Sequence, residues 1–187
     1  MLALRCLDDE KVFSGRRILH FAPEPFFQSW FRERTADYQT ADLIMAAVDH
    51  RVDMAQLPFA DTSFDVVFAS HVMEHIRDDG RAISEVHRIL RPHGLAILPV
   101  PIVAPATVEY PAPNPQESGH VRAPGPDYFE RYRKRFERVQ VYDSSQFPEK
   151  YQTWTLEDRS APDPRVMPWR LPMPGDRHPD FVPVCWK

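Results

Sequence analysis

The sequence predicts an α/β domain built on a mostly parallel sheet. Three observations carry that expectation. The stretch "FDVVFAS", Phe64 to Ser70, is apolar at five of its seven positions without alternation, which indicates burial on both faces and helices above and below. "LAILPVPI", Leu95 to Ile102, is a second continuous apolar run. Between them Ala82, Ile83, Val86, Ile89 and Leu90 fall at offsets 0, 1, 4, 7 and 8, one face of a helix.

The other elements can be placed in chain order. Ile18, Leu19, His20 and Phe21 read as a short buried strand that leads into an acidic, Pro-flanked turn, "APEP". Pro25 suits the first turn of a helix, because its missing N–H has no partner there. Phe26, Phe27, Trp30 and Phe31 share one face of that helix, which is expected to end near Arg34 and to pack on the sheet. "DYQTADLI" reads as a second strand carrying Asp42, and "HRVDM" as a short third ending near Asp53. Asp78 or Asp79 can cap the helix after Ser70, and "RPHG" is expected to end it at Pro92 and Gly94. The alternation of strands and helices implies right-handed crossovers.

Residues 103–126 hold six prolines and no periodic segment, so a lid or substrate loop is expected there. Asp127 to Phe136 reads as a helix with Tyr128, Phe129, Tyr132 and Phe136 on one face. Arg131, Arg133, Lys134 and Arg135 are then a solvated surface. "RVQVYD" is a sixth strand and "FVPVCWK" a candidate seventh, in which Pro183 favours an edge or a bulge. Between these two lies a Pro-rich excursion, 144–179, without periodicity.

At 187 residues the chain suits one core, a single domain over 1–187. Its 23 basic and 27 acidic residues, for a net charge of −4, give no bias toward nucleic acid or an anionic membrane. Cys6 and Cys185, at opposite ends, form neither a disulfide framework nor a metal-ligand spacing, and both are expected reduced. "MLALRCLDDEKVFSG" lacks a signal peptide's apolar run, and no segment approaches 18 uninterrupted apolar residues. A soluble, cytoplasmic protein is expected, monomeric or homodimeric.

Ligands of an open α/β sheet bind beyond the carboxyl ends of its strands. Those ends carry Glu24, Asp42, Asp53 and the group "SHVMEH", Ser70 to His75. A carboxylate such as Asp42 can accept both hydroxyls of a ribose, or simply close its own turn. Asp53 can accept a purine's amino group with Met54 against the ring, or likewise serve a turn. In "HVMEH" the glutamate stands directly before the second histidine, unlike the zinc-protease order H-E-x-x-H, and no metal is expected. General base chemistry suits His71 or His75 better, since imidazole titrates near neutrality; the alternative is a packed histidine bonded to a backbone carbonyl. If the segment is helical, His71, Glu74 and His75 share a face. His120 and Arg122 can reach a substrate from the 103–126 loop, the arginine taking a carboxylate or phosphate, or can be exposed residues without a role. No G-x-S-x-G surrounds Ser70, no G-x-x-x-x-G-K-[ST] exists, and the six glycines form no nucleotide fingerprint.

In combination, "DMAQLPFADTSFDVVFASHVMEHI" followed by "AISEVHRILRPHGLAIL" resembles the class I S-adenosylmethionine-dependent methyltransferases of the type 11 group, over roughly residues 16–102. The resemblance implies a Rossmann-like seven-stranded sheet with an antiparallel last strand. It also implies that Asp42 binds the ribose hydroxyls, Asp53 the adenine amino group and Met54 the adenine face, with Ser70 and His71 at the methyl-transfer site. Most members end the first strand with an acidic residue and glycines that admit the cofactor's methionine end. Here "HFAPE" stands instead, resembling a smaller branch of the group. Phe21 and Ala22 then supply the close approach, Pro23 and Pro25 stiffen the turn without demanding positive φ, and Glu24 takes the cofactor's ammonium. "GHVRAPGPDYF" resembles a late-loop pattern of one branch.

The function this implies is methyl transfer from S-adenosylmethionine to an oxygen or nitrogen of a small molecule. His71 is the first choice of base and His120 the second, Glu74 orients a histidine or meets substrate, and His75 and Arg122 bind substrate. The absent N-P-P-[YF] motif points away from nucleic-acid substrates. Two other readings stand beside it: a cofactor-fold binding or regulatory protein without methyl transfer, motivated by the altered turn and the short segment before the first strand, and an enzyme using the same cofactor for another reaction.

Overall fold

The computed structural model describes residues 7, 12–147, 155–156 and 177–187. The strands are β1 (Arg17–Phe21), β2 (Asp37–Asp42), β3 (His50–Arg51), β4 (Phe64–Ala69), β5 (Leu90–Ile97), β6 (Val108–Asn114), β7 (His120–Ala123), β8 (Arg138–Asp143), β9 (Thr155–Leu156), β10 (Arg177–His178) and β11 (Phe181–Trp186). The α-helices are α1 (Pro25–Arg32), α2 (Asp79–Ile89) and α3 (Phe129–Arg133). A seven-stranded sheet runs in the order β3-β2-β1-β4-β5-β11-β8. Its first five strands are parallel, and β11 is antiparallel to both of its neighbours. This is the expected Rossmann-like α/β arrangement.

Burial on both faces organises it. Leu19, Phe21, Val67, Ala69 and Ala96 face a core completed by Ala82, Ile83, Val86 and Ile89 of α2 and by Tyr128, Phe129, Tyr132 and Phe136. The alternate positions Ile18, Val66, Phe68, Leu95 and Ile97 face a second core closed by Trp30 and Phe31 of α1. The period of two along each strand thus sorts its residues between two helix layers. Pro25 is the first residue of α1, and the Asp78 side chain caps α2 by accepting from Arg81 N–H at 3.0 Å.

Several boundaries differ from expectation. Phe26 is 58% exposed, because α1 turns only Trp30 and Phe31 fully inward. β2 stops at Asp42, leaving Leu43 and Ile44 exposed. α2 ends at Ile89, and "RPHG" forms the kinked start of β5 instead of a helix stop: the β4 register jumps from Phe64–Leu90 to Val66–Leu95. Gly94 is required in that kink, since a Cβ there would stand 2.8 Å from the Arg91 carbonyl oxygen and 3.0 Å from that of Asp65. Asp127 to Phe136 divides into a 3₁₀ turn and the short α3.

Pro183 does not hold the last strand at an edge; β11 runs between β5 and β8. In an antiparallel strand a residue's N–H and C=O point to the same neighbour. The Pro183 carbonyl accepts from Leu98 N–H at 3.2 Å, so the missing donor points toward β5 where the register, which runs through Val184–Ile97, has ended. Cys185 is buried, and burial pushes its thiol up. Cys6, Trp154, Trp169 and most of 144–179 lie outside the described residues.

The 103–126 segment carries structure the proline count conceals: β6 and β7 form an antiparallel hairpin. Buried Arg122 fastens it to the turn after β4. Its guanidinium donates to the carbonyls of Met73 at 2.6 Å, Ile76 at 2.7 Å and Arg77 at 3.1 Å, and to Glu109 at 3.0 Å. Arg77 answers with a 2.5 Å bond to the Tyr110 carbonyl. Arg131 leaves the solvated surface to bond Asp79 and Glu109, each at 2.6 Å, and Tyr128 O–H donates to Asp79 at 2.6 Å. No helix among the described residues is long and apolar enough to cross a membrane.

Two features at the carboxyl end of β1 fix the shape of its turn. Ala22, just after the strand, has φ +47°, so the turn does demand a left-handed residue and sets an alanine in a glycine's conformation. His20 is fully buried; its Nδ1 lies 2.8 Å from Tyr38 O–H and its Nε2 3.0 Å from Glu24 Oε2. An ionised Glu24 only accepts, so Nε2 donates to it, and a neutral ring then accepts from Tyr38 at Nδ1. Burial holds the His20 pKa below its ordinary value, partly offset by Glu24.

Three outcomes are expected. Replacing Arg122 with Ala leaves three carbonyls without their donor and Asp79 and Glu109 with Arg131 as their one remaining cation, and should cost about 3–5 kcal/mol in urea unfolding. Ala22→Gly should raise stability by up to about 1 kcal/mol by removing left-handed strain. Because the folded pKa of His20 is depressed, the unfolded chain takes up its proton first as pH falls below about 6.5, and stability drops. The fall in urea midpoint toward acid should therefore be shallower in His20→Gln than in the parent.

Candidate functional site

The strand order reverses direction between β1 and β4: the chain builds outward through β2 and β3 on one side and through β5 on the other. A crevice opens where the loops after those two strands part. It holds a cavity of about 520 Å³, within the range of small-molecule sites. Each strand contributes its carboxyl end. Phe21 and Ala22 follow β1, Asp42 to Ile44 follow β2, and Val52 to Met54 follow β3. His71, Val72, His75 and Ile76 come after β4, with Ser118 and Gly119 added from the hairpin tip.

Of the residues singled out in the sequence, Phe21, Ala22, Asp42, Asp53, Met54, His71 and His75 line this space. Asp42 Oδ1 accepts from the N–H groups of Ile44 at 2.6 Å and Met45 at 2.7 Å, and Asp53 Oδ1 accepts from Ala55 N–H at 2.8 Å. Both aspartates therefore close their own turns with one oxygen. Among the described residues no donor takes Oδ2 of either, so each aspartate closes its turn and keeps one acceptor oxygen. Met54 is buried against the cavity wall.

The segment after β4 is not one helical face. His71 precedes the helical part with φ +53°, its N–H bonded to the Pro99 carbonyl at 3.0 Å, and only Met73–His75 form a 3₁₀ turn. His71 is half-exposed to the cavity, with Nδ1 3.4 Å from Oε1 of Glu74, which is buried beneath it. That carboxylate raises the His71 pKa. The His75 pKa is lowered, chiefly by burial.

The other candidates stand outside the lining. Glu24 bonds His20, and no side chain caps the start of α1 beside it. Ser70 follows β4 without reaching the cavity. His120 packs edge to face on His75 with ring centroids 4.7 Å apart. Arg122 does not meet the substrate space at all, since three carbonyls and Glu109 surround its guanidinium. Seven lining residues were not foreseen: Leu43, Ile44, Val52, Val72 and Ile76 at the strand ends, and Ser118 and Gly119, which take φ +55° and +82° at the hairpin tip. "ESGH" is a visible turn signal, but its partner strand is hidden by proline. Nor was the tie that His20 makes between Glu24 and Tyr38.

The methyltransferase domain family model matches residues 14–98. An uncharacterized methyltransferase of Mycobacterium sp. (strain KMS) is 48% identical over 48 residues, which is 26% of this chain and 19% of that protein. The matched part is thus about a fifth of the relative's length. Among solved structures, an S-adenosylmethionine-dependent methyltransferase from Mesorhizobium loti superposes with a TM-score of 0.59 at 15% identity, covering 99% of this chain and 96% of its own. The [4+2]-cyclase SpnF superposes with a TM-score of 0.58 at 20% identity, covering 76% of this chain and 60% of its own. Sheet order, the cavity at its switch point and these likenesses together give the conclusion that the chain carries a class I, S-adenosylmethionine-methyltransferase-like fold.

Proposed function

We propose that the chain binds S-adenosylmethionine in the cavity after β1–β4 and methylates an oxygen or nitrogen of a small molecule. The observation that carries this reading is the convergence of Ala22, Asp42, Asp53, Met54 and His71 on one cavity from four successive strand ends. Bound there, the cofactor supplies an electrophilic methyl group. Asp42 and Asp53 each retain an oxygen for donors, the ribose hydroxyls and the adenine amino group respectively, while Met54 offers an apolar wall to the ring. Glu24, oriented by His20, meets an ammonium, and the uncapped N–H groups at the start of α1 suit a carboxylate.

His71 serves as general base. It faces the cavity, its backbone is fixed by Pro99, and Glu74 lies behind Nδ1, leaving Nε2 for a substrate proton. Apolar Val72 and Ile76 on the same wall exclude water. The hairpin tip at Ser118 and Gly119 acts as the lid expected of 103–126, and its anchor is Arg122. The likeness to a cyclase of the same fold supports a second reading, in which the same pocket and histidine move protons in a reaction other than methylation.

Calorimetry with S-adenosylmethionine and S-adenosylhomocysteine tests the pocket. Sub-millimolar binding is expected, weakened about 10- to 100-fold in Asp42→Ala. Loss of one charge-assisted hydrogen-bond acceptor corresponds to roughly 1.5–3 kcal/mol. Absence of binding by either compound would favour a binding or regulatory role without methyl transfer. Once an acceptor is found, His71→Ala should lower kcat by about 10²–10⁴ with cofactor affinity retained. An unchanged kcat would remove His71 as the base.

A further inference from the structure

We propose that Glu74, His75 and His120 bind a divalent transition-metal cation of the zinc class at the inner wall of the cavity. One carboxylate oxygen and one ring nitrogen from each histidine lie within 4.8 Å of one another. Tetrahedral bonds of about 2.1 Å set neighbouring ligand atoms about 3.4 Å apart, so closure on an ion asks for shifts of about 1 Å. No metal is expected from "HVMEH" on the order of its residues, and a site built on Glu74 and His75 needs a third ligand from elsewhere. The hairpin supplies it, because Arg122 seats β7 against the turn after β4 and so brings His120 onto His75.

Glu74 provides independent support. It is fully buried, and neither of its carboxylate oxygens has a hydrogen-bond partner. His71 Nδ1, at 3.4 Å, is too distant for a good hydrogen bond. A buried carboxylate in that condition is strongly disfavoured until a cation meets it. His120 Nδ1 is likewise buried without a hydrogen-bond partner, and Glu117 Oε2 lies 3.6 Å from it, adding negative charge behind the ring.

The donor set selects the ion. Two imidazole nitrogens and one carboxylate oxygen suit Zn²⁺, Co²⁺ or Fe²⁺ over Mg²⁺, which prefers oxygen ligands and its own water. Three protein ligands leave a coordination position open. His75 also lines the cavity, and an ion held there would polarise an oxygen that reached its open position. The site stands on the cluster alone and does not require methyl transfer.

Calorimetry of the full chain, stripped with a chelator and titrated with Zn²⁺ and then Co²⁺, tests the site. One equivalent should bind, and Co²⁺ should give visible absorption bands of a low-coordinate nitrogen and oxygen site. His120→Asn and Glu74→Gln should each weaken binding more than about tenfold, whereas His87→Ala should leave it unchanged. Because a variant can fail to fold, the parent chain carries a second measurement. Zn²⁺ should shift the imidazole NMR resonances of both His75 and His120 at one equivalent and leave those of His87. Absence of stoichiometric binding, or binding that omits either of those rings, overturns the proposal. S-adenosylhomocysteine affinity of the metal-free chain, measured separately, tells that failure apart from a failure of the cofactor reading.

Discussion

The burial of β1 and β4 on both faces is the constraint on which the rest depends. Strands covered by α1 on one side and by α2 and α3 on the other have no solvent face on which to carry polar chemistry. Their fully buried side chains are apolar apart from His20, whose two ring nitrogens are both matched, and Arg17 and Asp65 stand at the partly exposed amino ends. Polar groups are thereby driven to the strand ends, where backbone pairing stops and loops diverge. Asp42, Asp53 and His71 meet at those ends.

Arg122 gives the second layer of organisation. A guanidinium shared among three carbonyls of one turn and Glu109 of the hairpin joins two segments far apart in sequence, and Arg131 and Tyr128 extend the same network through Asp79. The burial of so many charges is tolerable because nearly every one is paired. Glu74 stands out against that background as the carboxylate whose neighbours leave it under-satisfied.

How much of this was legible in the residues depends on the range of the interactions. The parallel strands and α2 were readable because burial on two faces and helical periodicity are local signals, and Asp42, Asp53 and His71 could be placed because strand ends are readable too. The β6–β7 hairpin was not, because Pro111 and Pro113 erase the strand pattern and pairing with β7 is a matter of register across a loop. Arg122 looked like a ligand-binding residue in an exposed loop for the same reason: its three carbonyl partners lie more than 40 positions away. The interior place of β11 was likewise invisible, since Pro183 argues for an edge until the end of the β5 register is known.

The turn after β1 has a wider meaning. Glycine fingerprints identify nucleotide sites by letters, yet what such a turn requires is a dihedral angle and a small side chain. Ala22 meets the first at φ +47° and the second with a single methyl group. A chain of this kind escapes any search written as a glycine pattern and would be found by one written in backbone conformation, with alanine, asparagine and aspartate admitted at the left-handed position. Pockets of the same geometry in other proteins are then to be sought wherever a buried parallel strand ends in a left-handed small residue, whatever its name.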